Sequence, residues 1–145
     1  MAKENQAPSK YMAKDFFVYQ IPFTSALAPG AQAQSNVTLD ADADFLWQKF
    51  TGYAAVGSDG QTASARVVPG VSIIITDSAS GRQLMNGAVP LGAIMGTGEL
   101  PFIMPTPKIF QSRGTITVQL QNLTDNTTYS QIYLDFVGTK LFLRN

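Results

Sequence analysis

Cysteine and histidine are both absent from the 145 residues. Without them there is no disulfide framework, no thiolate or imidazole ligand for zinc, no Ser-His-Asp or Cys-His nucleophile system and no imidazole acid–base pair. Charge is scarce as well. Ten Lys and Arg offset ten Asp and Glu, and the charged fraction is 14%. That leaves no basic footprint of the kind phosphate neutralisation demands, so nucleic acid is not expected as a partner. No apolar run approaches the ~20 residues of a membrane-spanning helix, so the membrane is not expected as a partner either, and residues 1–15 are too polar for the apolar segment of a signal peptide. With one tryptophan there is little from which to build an aromatic platform for sugar. The acids fall mostly in turns or at strand ends, which argues against the facing carboxylate pair of a glycosidase. Neither an enzymatic activity nor a cofactor is expected.

What the sequence does have is alternation. In residues 115–121, Ile116, Val118 and Leu120 share one side and four polar residues the other, the pattern of a half-buried antiparallel strand. Noisier runs of the same kind cover 16–21, 36–40 with Val37 and Leu39 inward, 45–53, 71–77 with Val71, Ile73 and Ile75 on one face, and 82–86. The longest covers 129–143, where Gly138 is expected to mark a bulge or bend. Turn signals separate them: Ala-Pro-Gly at 28–30, Gly-Ser-Asp-Gly at 57–60, Val-Pro-Gly at 68–70, Ser-Ala-Ser-Gly at 78–81 and Thr-Asp-Asn-Thr at 124–127. Only 89–95 has room for a helix, two turns at most, with Pro90 at its start and Gly96 at its stop. The expected fold is all-β: an antiparallel double-sheet sandwich, jelly-roll-like, of about eight strands and at most one short helix. A chain of this length buries roughly 70% of its unfolded surface in one core. Residues 15–145 are expected to form that single domain. Residues 1–14, polar, interrupted by Pro8 and carrying Lys3, Lys10 and Lys14, read as a flexible N-terminal arm.

The segment 98–110, Gly-Glu-Leu-Pro-Phe-Ile-Met-Pro-Thr-Pro-Lys-Ile-Phe, sets six large apolar residues among three prolines. Proline has no N–H to give a two-sided ladder and breaks a helix, so this strand belongs at the edge of a sheet. One thin sandwich cannot cover all of its apolar groups, and an exposed apolar strip of that kind marks a contact site. Leu100, Ile103, Met104 and Pro105 are the expected interface residues, with Lys3, Lys10 and Lys14 of the arm. Alternation separates Phe102 from Ile103: Phe102, with Leu100 and Met104 two residues to either side, is expected to point inward and Ile103 outward.

Other local clusters carry weaker chemistry. Asp40, Asp42 and Asp44 would stand about 6.6 Å apart along one face of an extended chain, too far for a single ion. A tight loop could gather two of them around Ca²⁺, but the glycine and closing glutamate of an EF-hand loop are missing. A solvated connection between two strands is the expected reading, with the three aspartates as weak metal candidates. The glycines of 92–98 have no following lysine and no preceding Rossmann strand, so turns explain them better than a phosphate loop. Asn36, Asn122 and Asn126 match the glycosylation acceptor pattern, and their occupancy is not expected. Trp47 is expected as a core anchor between two sheets, with Leu46 and Phe50 covering the other face.

The ordered short motifs of Asp44-Phe-Leu-Trp-Gln-Lys49, Ile75-Thr-Asp-Ser78, Gly81-Arg-Gln-Leu-Met-Asn86, Val89-Pro-Leu91, Gly98-Glu-Leu-Pro-Phe-Ile103, Pro105-Thr-Pro107, Gly114-Thr-Ile-Thr-Val118 and Gln121-Asn-Leu123 resemble small structural proteins of tailed bacteriophage virions. Among these the chain looks most like the jelly-roll capsid cement, or decoration, proteins, over roughly residues 44–142. The resemblance implies a non-enzymatic protein, made in the host bacterial cytoplasm, that sits on the virion's outer capsid surface. Its implied partners are the major capsid protein and further copies of itself, as dimer or trimer. Two alternatives stay open: a jelly-roll binding module of a fibre or adhesin that recognises host glycan, with Trp47 and Tyr53 as its platform, and a minor tail or head-fibre component.

Overall fold

The computed structural model describes residues 11–56 and 70–143. Nine strands run through them: β1 Tyr11–Phe23, β2 Gln32–Thr38, β3 Ala43–Val56, β4 Val71–Asp77, β5 Arg82–Gln83, β6 Val89–Pro90, β7 Phe102–Phe110, β8 Thr115–Asn122 and β9 Tyr129–Leu143. They form two antiparallel sheets. The first has the order β1-β9-β3-β7, and the second β2-β8-β4-β5 with β6 also on β4. The chain changes sheet at nearly every connection, and only β4, β5 and β6 follow one another in the same sheet. With β5 and β6 sharing one edge position, this is the winding of a jelly roll.

Alternation builds the core. Ile116, Val118 and Leu120 of β8, Val71, Ile73 and Ile75 of β4, and Ile132, Leu134 and Phe136 of β9 are all buried, as the period-two pattern requires. The core centres on Trp47, whose ring lies 4.7 Å from that of Phe136, 5.3 Å from Phe50 and 5.9 Å from Phe110. Its indole N–H donates to the Lys49 carbonyl at 2.7 Å, so the one polar atom of the anchor is satisfied.

Phe50 departs from expectation. The ladder of β3 slips between Trp47 and Lys49 against both neighbours, leaving Gln48 as the extra residue of a bulge. A bulge inverts the alternation beyond it, so Trp47 and Phe50 share the inner face and Phe50 is fully buried. Gly138 faces this bulge from β9, paired with Trp47. A Cβ there would run into the Leu46 carbonyl and the Phe45 ring, so glycine is required by close approach of backbone.

Three further expectations change. Residues 11–14 belong to β1, with Tyr11 opposite Leu143 and Lys14 opposite Leu141; the arm expected over 1–14 is therefore cut short by strand pairing, and 1–10 lie outside the described residues. The 82–86 run forms only the two residues of β5. Residues 89–95 hold β6 and a single 3-10 turn, Leu91–Ala93, because Pro90 is taken into the sheet opposite Ser72. The Gly57–Gly60 turn signal and most of that at 68–70 lie outside the described residues.

Candidate interaction surface

β7 is an edge strand of its sheet, as its prolines demand. It pairs with β3 at both ends, through Phe102 and Ile103 and again through Lys108, Ile109 and Phe110. Between Ile103 and Lys108 the strand leaves the ladder, so Pro105 and Pro107 sit where no N–H is needed, both exposed. Just before it, Thr97 and Leu100 close a tight turn: the Thr97 N–H donates to the Leu100 carbonyl, and the Leu100 N–H to the Thr97 hydroxyl, each at 3.1 Å. That turn holds Leu100 out at 80% exposure.

Ile103 points outward at 65% exposure while Phe102 packs against the core. Met104 also packs inward. It lines an apolar cleft of about 170 Å³ between the two sheets, with Trp47, Phe50, Ile75, Met85 and Phe102. Of the four expected contact residues on this segment, Leu100, Ile103 and Pro105 are presented to the outside and Met104 is not. Lys14 is exposed on β1; Lys3 and Lys10 lie outside the described residues.

The outward apolar surface extends well past β7. Met12, Phe16 and Val18 on β1 are 61%, 74% and 37% exposed, and Ile109 on β7 is 44% exposed. Met12 is the extra residue where the β1 ladder shifts, and strand register aligns the others with Ile103 across the sheet. Phe16 pairs with Thr139, Thr139 with Leu46, and Leu46 with Ile109; one row on, Val18 pairs with Val137, Val137 with Lys49, and Lys49 with Ile103. The sequence carried a signal for this that alternation in β7 alone did not use. In 16–21 both faces are largely apolar, Phe16 and Val18 against Phe17, Tyr19 and Ile21, and a sandwich buries only one of them. The outer face of the second sheet is different in kind, with Gln32, Gln121 and Ser72 in one row and Asn36, Thr117 and Thr76 in another.

The aspartates are committed elsewhere. Lys140, on the inner face of β9 and buried, places its ammonium 2.8 Å from Asp40 Oδ2, 3.3 Å from Asp42 Oδ1 and 4.2 Å over the Phe17 ring. Burial alone would lower the Lys140 pKa, and the hydrogen bonds to Asp40 and Asp42 more than offset it, so the ammonium is held above its usual range. Burial raises the nearby Tyr19 phenol, which accepts the Asp40 N–H at 3.0 Å. Asp44 is not solvated. It is 3% exposed, and its carboxylate accepts the Tyr11 hydroxyl and the Ser112 N–H, both at 2.9 Å. These carboxylates close one end of the sandwich, and among the described residues no group of three or more acidic side chains is placed to hold a metal ion.

Two other expectations are settled by burial. Trp47 is 2% exposed on the inner face, whereas Tyr53 lies on the outer face beside Tyr133, rings 5.9 Å apart, so the two do not form a sugar platform. Asn122 is also buried, its amide donating to the Leu27 and Thr127 carbonyls, so it cannot serve as a glycosylation acceptor in the folded chain.

No family model matches the sequence, and no curated protein matches it. Among solved structures the chain is similar to the VP2 subviral particle of infectious bursal disease virus, with a TM-score of 0.34 and 12% identity over 90% of this chain and 38% of that one. The chain thus spans well under half of that protein's length. A score so low transfers neither fold detail nor function.

Proposed function

We propose that this chain is a non-enzymatic structural protein of a phage virion, which binds the outer capsid surface and bridges major capsid subunits to stabilise the head. The observation that carries the proposal is the division of labour in the sandwich. The interior is filled by packing residues, and apolar surplus is displayed outward at Ile103 on the proline-guarded edge strand and at Leu100 in the turn that leads into it. Such an edge offers contact area without inviting indiscriminate strand pairing. The motif resemblance to phage virion proteins over roughly 44–142 supports the same reading. Attachment through many weak contacts repeated over a lattice suits a small neutral domain.

Purified virions test it. The protein should be present in hundreds of copies per particle on a stained gel, and shells stripped of it should rebind the purified chain and resist heating better afterwards. A handful of copies would make it a tail or head-fibre component instead. Absence from the particle would remove the virion role altogether.

A further inference from the structure

We propose that the outer face of the β1-β9-β3-β7 sheet is a self-association surface, on which a second copy of this chain packs face to face. Four of the seven large apolar side chains most exposed in the described residues lie on this one face: Phe16, Val18, Ile103 and Ile109. They stand on the two edge strands, β1 and β7, and the register joins them in two adjacent rows across β9 and β3, through Thr139 and Leu46 in one and Val137 and Lys49 in the other. Three strands at about 4.8 Å over the rows from Phe16 to Pro22 at about 3.4 Å per residue, with β7 adding the first two rows, give a footprint of on the order of 300 Å². Side-chain relief adds to this, so two such faces bury on the order of 1,000 Å², the scale at which a specific protein interface begins.

Charge selects the occupant. Between the Phe16 and Pro22 rows the outward charges are Lys49 on β3 and Asp135 on β9, one of each sign and one row apart on neighbouring strands. The charges cancel within these rows, with Lys14 one row outside them, and a patch so nearly neutral is poorly suited to an anionic membrane or to nucleic acid. It is suited to its own copy. A two-fold axis parallel to the strands stacks β3 of one copy over β9 of the other, which brings each Lys49 within about one row, roughly 7 Å, of the other copy's Asp135. Aligned sheet packing at about 10 Å spacing then interleaves Phe16 and Val18 with Ile103 and Ile109. The inference deepens the outward reading of Ile103 in the proposed function and rests on it for that residue. It is tested in solution and the virion role on particles, so either can fail without the other.

Sedimentation equilibrium of the full chain at micromolar concentration should give twice the 15.6 kDa chain mass. Phe16→Asp should weaken the dimer at least about 30-fold, as removal of an interface anchor does, with an unchanged circular dichroism spectrum because Phe16 is mostly exposed. Gln119→Lys, on the other sheet's outer face, should leave the dimer intact. Lys49→Glu should weaken it, and adding Asp135→Lys should restore it, a rescue that misfolding cannot mimic. A wild-type chain that stays monomeric, or a dimer indifferent to both Phe16→Asp and Lys49→Glu, overturns the inference. So does a monomer that uses Phe16 to bind lipid vesicles or capsid shells.

Discussion

A buried lysine shared between two carboxylates is the residue-scale feature with the clearest energetic asymmetry. The Lys140 side chain is 8% exposed, while those of Asp40 and Asp42 are 56% exposed. Removing the cation returns two carboxylates to water, which costs little; removing the anions leaves a largely buried lysine without its charged partners, which costs more. Lys140→Met should therefore change unfolding free energy by no more than about 1 kcal/mol, whereas the double change Asp40→Asn with Asp42→Asn should cost about 3 kcal/mol. Urea denaturation of the two variants checks the ordering, and equal losses would mean that the pair is effectively solvated. The same site sets a pH dependence. Lys140 and Tyr19 both have raised pKa values in the folded chain, so folding retains their protons more tightly than unfolding does. Their contribution to stability is whole below the ordinary values of about 10 and is lost as pH rises through the folded ones. The urea midpoint should hold level from neutrality upward and fall beyond about pH 10, more gently in Lys140→Met, which lacks one of the two groups.

At the scale of the element, β7 shows what alternation and proline chemistry reveal and what they hide. Its edge position and the opposite facings of Phe102 and Ile103 follow from missing N–H groups and a period of two, both local properties. Phe102 is half-buried against the cleft and Ile103 is 65% exposed. Phe102→Ala should thus lower the unfolding free energy by about 2 kcal/mol, less than the 3–5 kcal/mol of a fully enclosed ring. Ile103→Asp should stay within about 0.5 kcal/mol of wild type while weakening association. Thermal melts of the isolated variants, set beside a binding assay on shells, separate the two effects; a collapsed fold in Ile103→Asp would place that side chain in the core. Alternation from Phe102 also put Met104 on the inner face, and Met104 does line the cleft between the sheets, which removes it from the expected contact residues. Leu100, two residues to the other side of Phe102, is instead turned out at 80% exposure by the Thr97–Leu100 turn, a break in the strand that a period of two does not foresee. Phe50 escaped the sequence for a related reason. The bulge at Gln48 answers to Gly138, about ninety positions along, and it moved one aromatic from the outer face to the inner. In the DADAD run Asp40 and Asp42 are more than half exposed, as a solvated connection requires, but Asp44 is buried, and the groups that hold these carboxylates, Lys140, Tyr11 and Ser112, are likewise remote in sequence. Short-range chemistry was legible in this chain, then, and the exceptions, the turn at Leu100 apart, are residues whose partner lies across the sheet.

The described residues form two unlike outer faces, one rich in exposed apolar side chains and one made largely of neutral polar side chains, with β1 on the first. That arrangement assigns separate tasks to the first fourteen residues, which composition alone had grouped as an arm. Tyr11 opens β1 opposite Leu143 and donates its hydroxyl to the buried Asp44. Ala13 and Lys14 then pair with Phe142 and Leu141, closing the end of the sheet. A chain lacking residues 1–10 keeps every one of these interactions, so its melting temperature should match that of the full chain. A chain lacking residues 1–14 loses the Tyr11 hydroxyl bonded to the Asp44 carboxylate and a stretch of ladder beside Leu141. A hydrogen bond to a charged group contributes about 1.5–3 kcal/mol, which for a domain of this size lowers the midpoint by several degrees, at roughly 2–4 °C per kcal/mol. If Lys3 and Lys10 contribute to attachment, the shorter deletion should weaken binding to shells and leave the melting temperature unchanged, because charged side chains that bind a partner add to affinity and not to the core. Differential scanning calorimetry and a shell-rebinding assay on the two deletions give four readings. A melting temperature that falls already on removal of 1–10 would mean that those residues belong to the fold, and rebinding unchanged by that deletion would leave attachment to the sandwich surface alone.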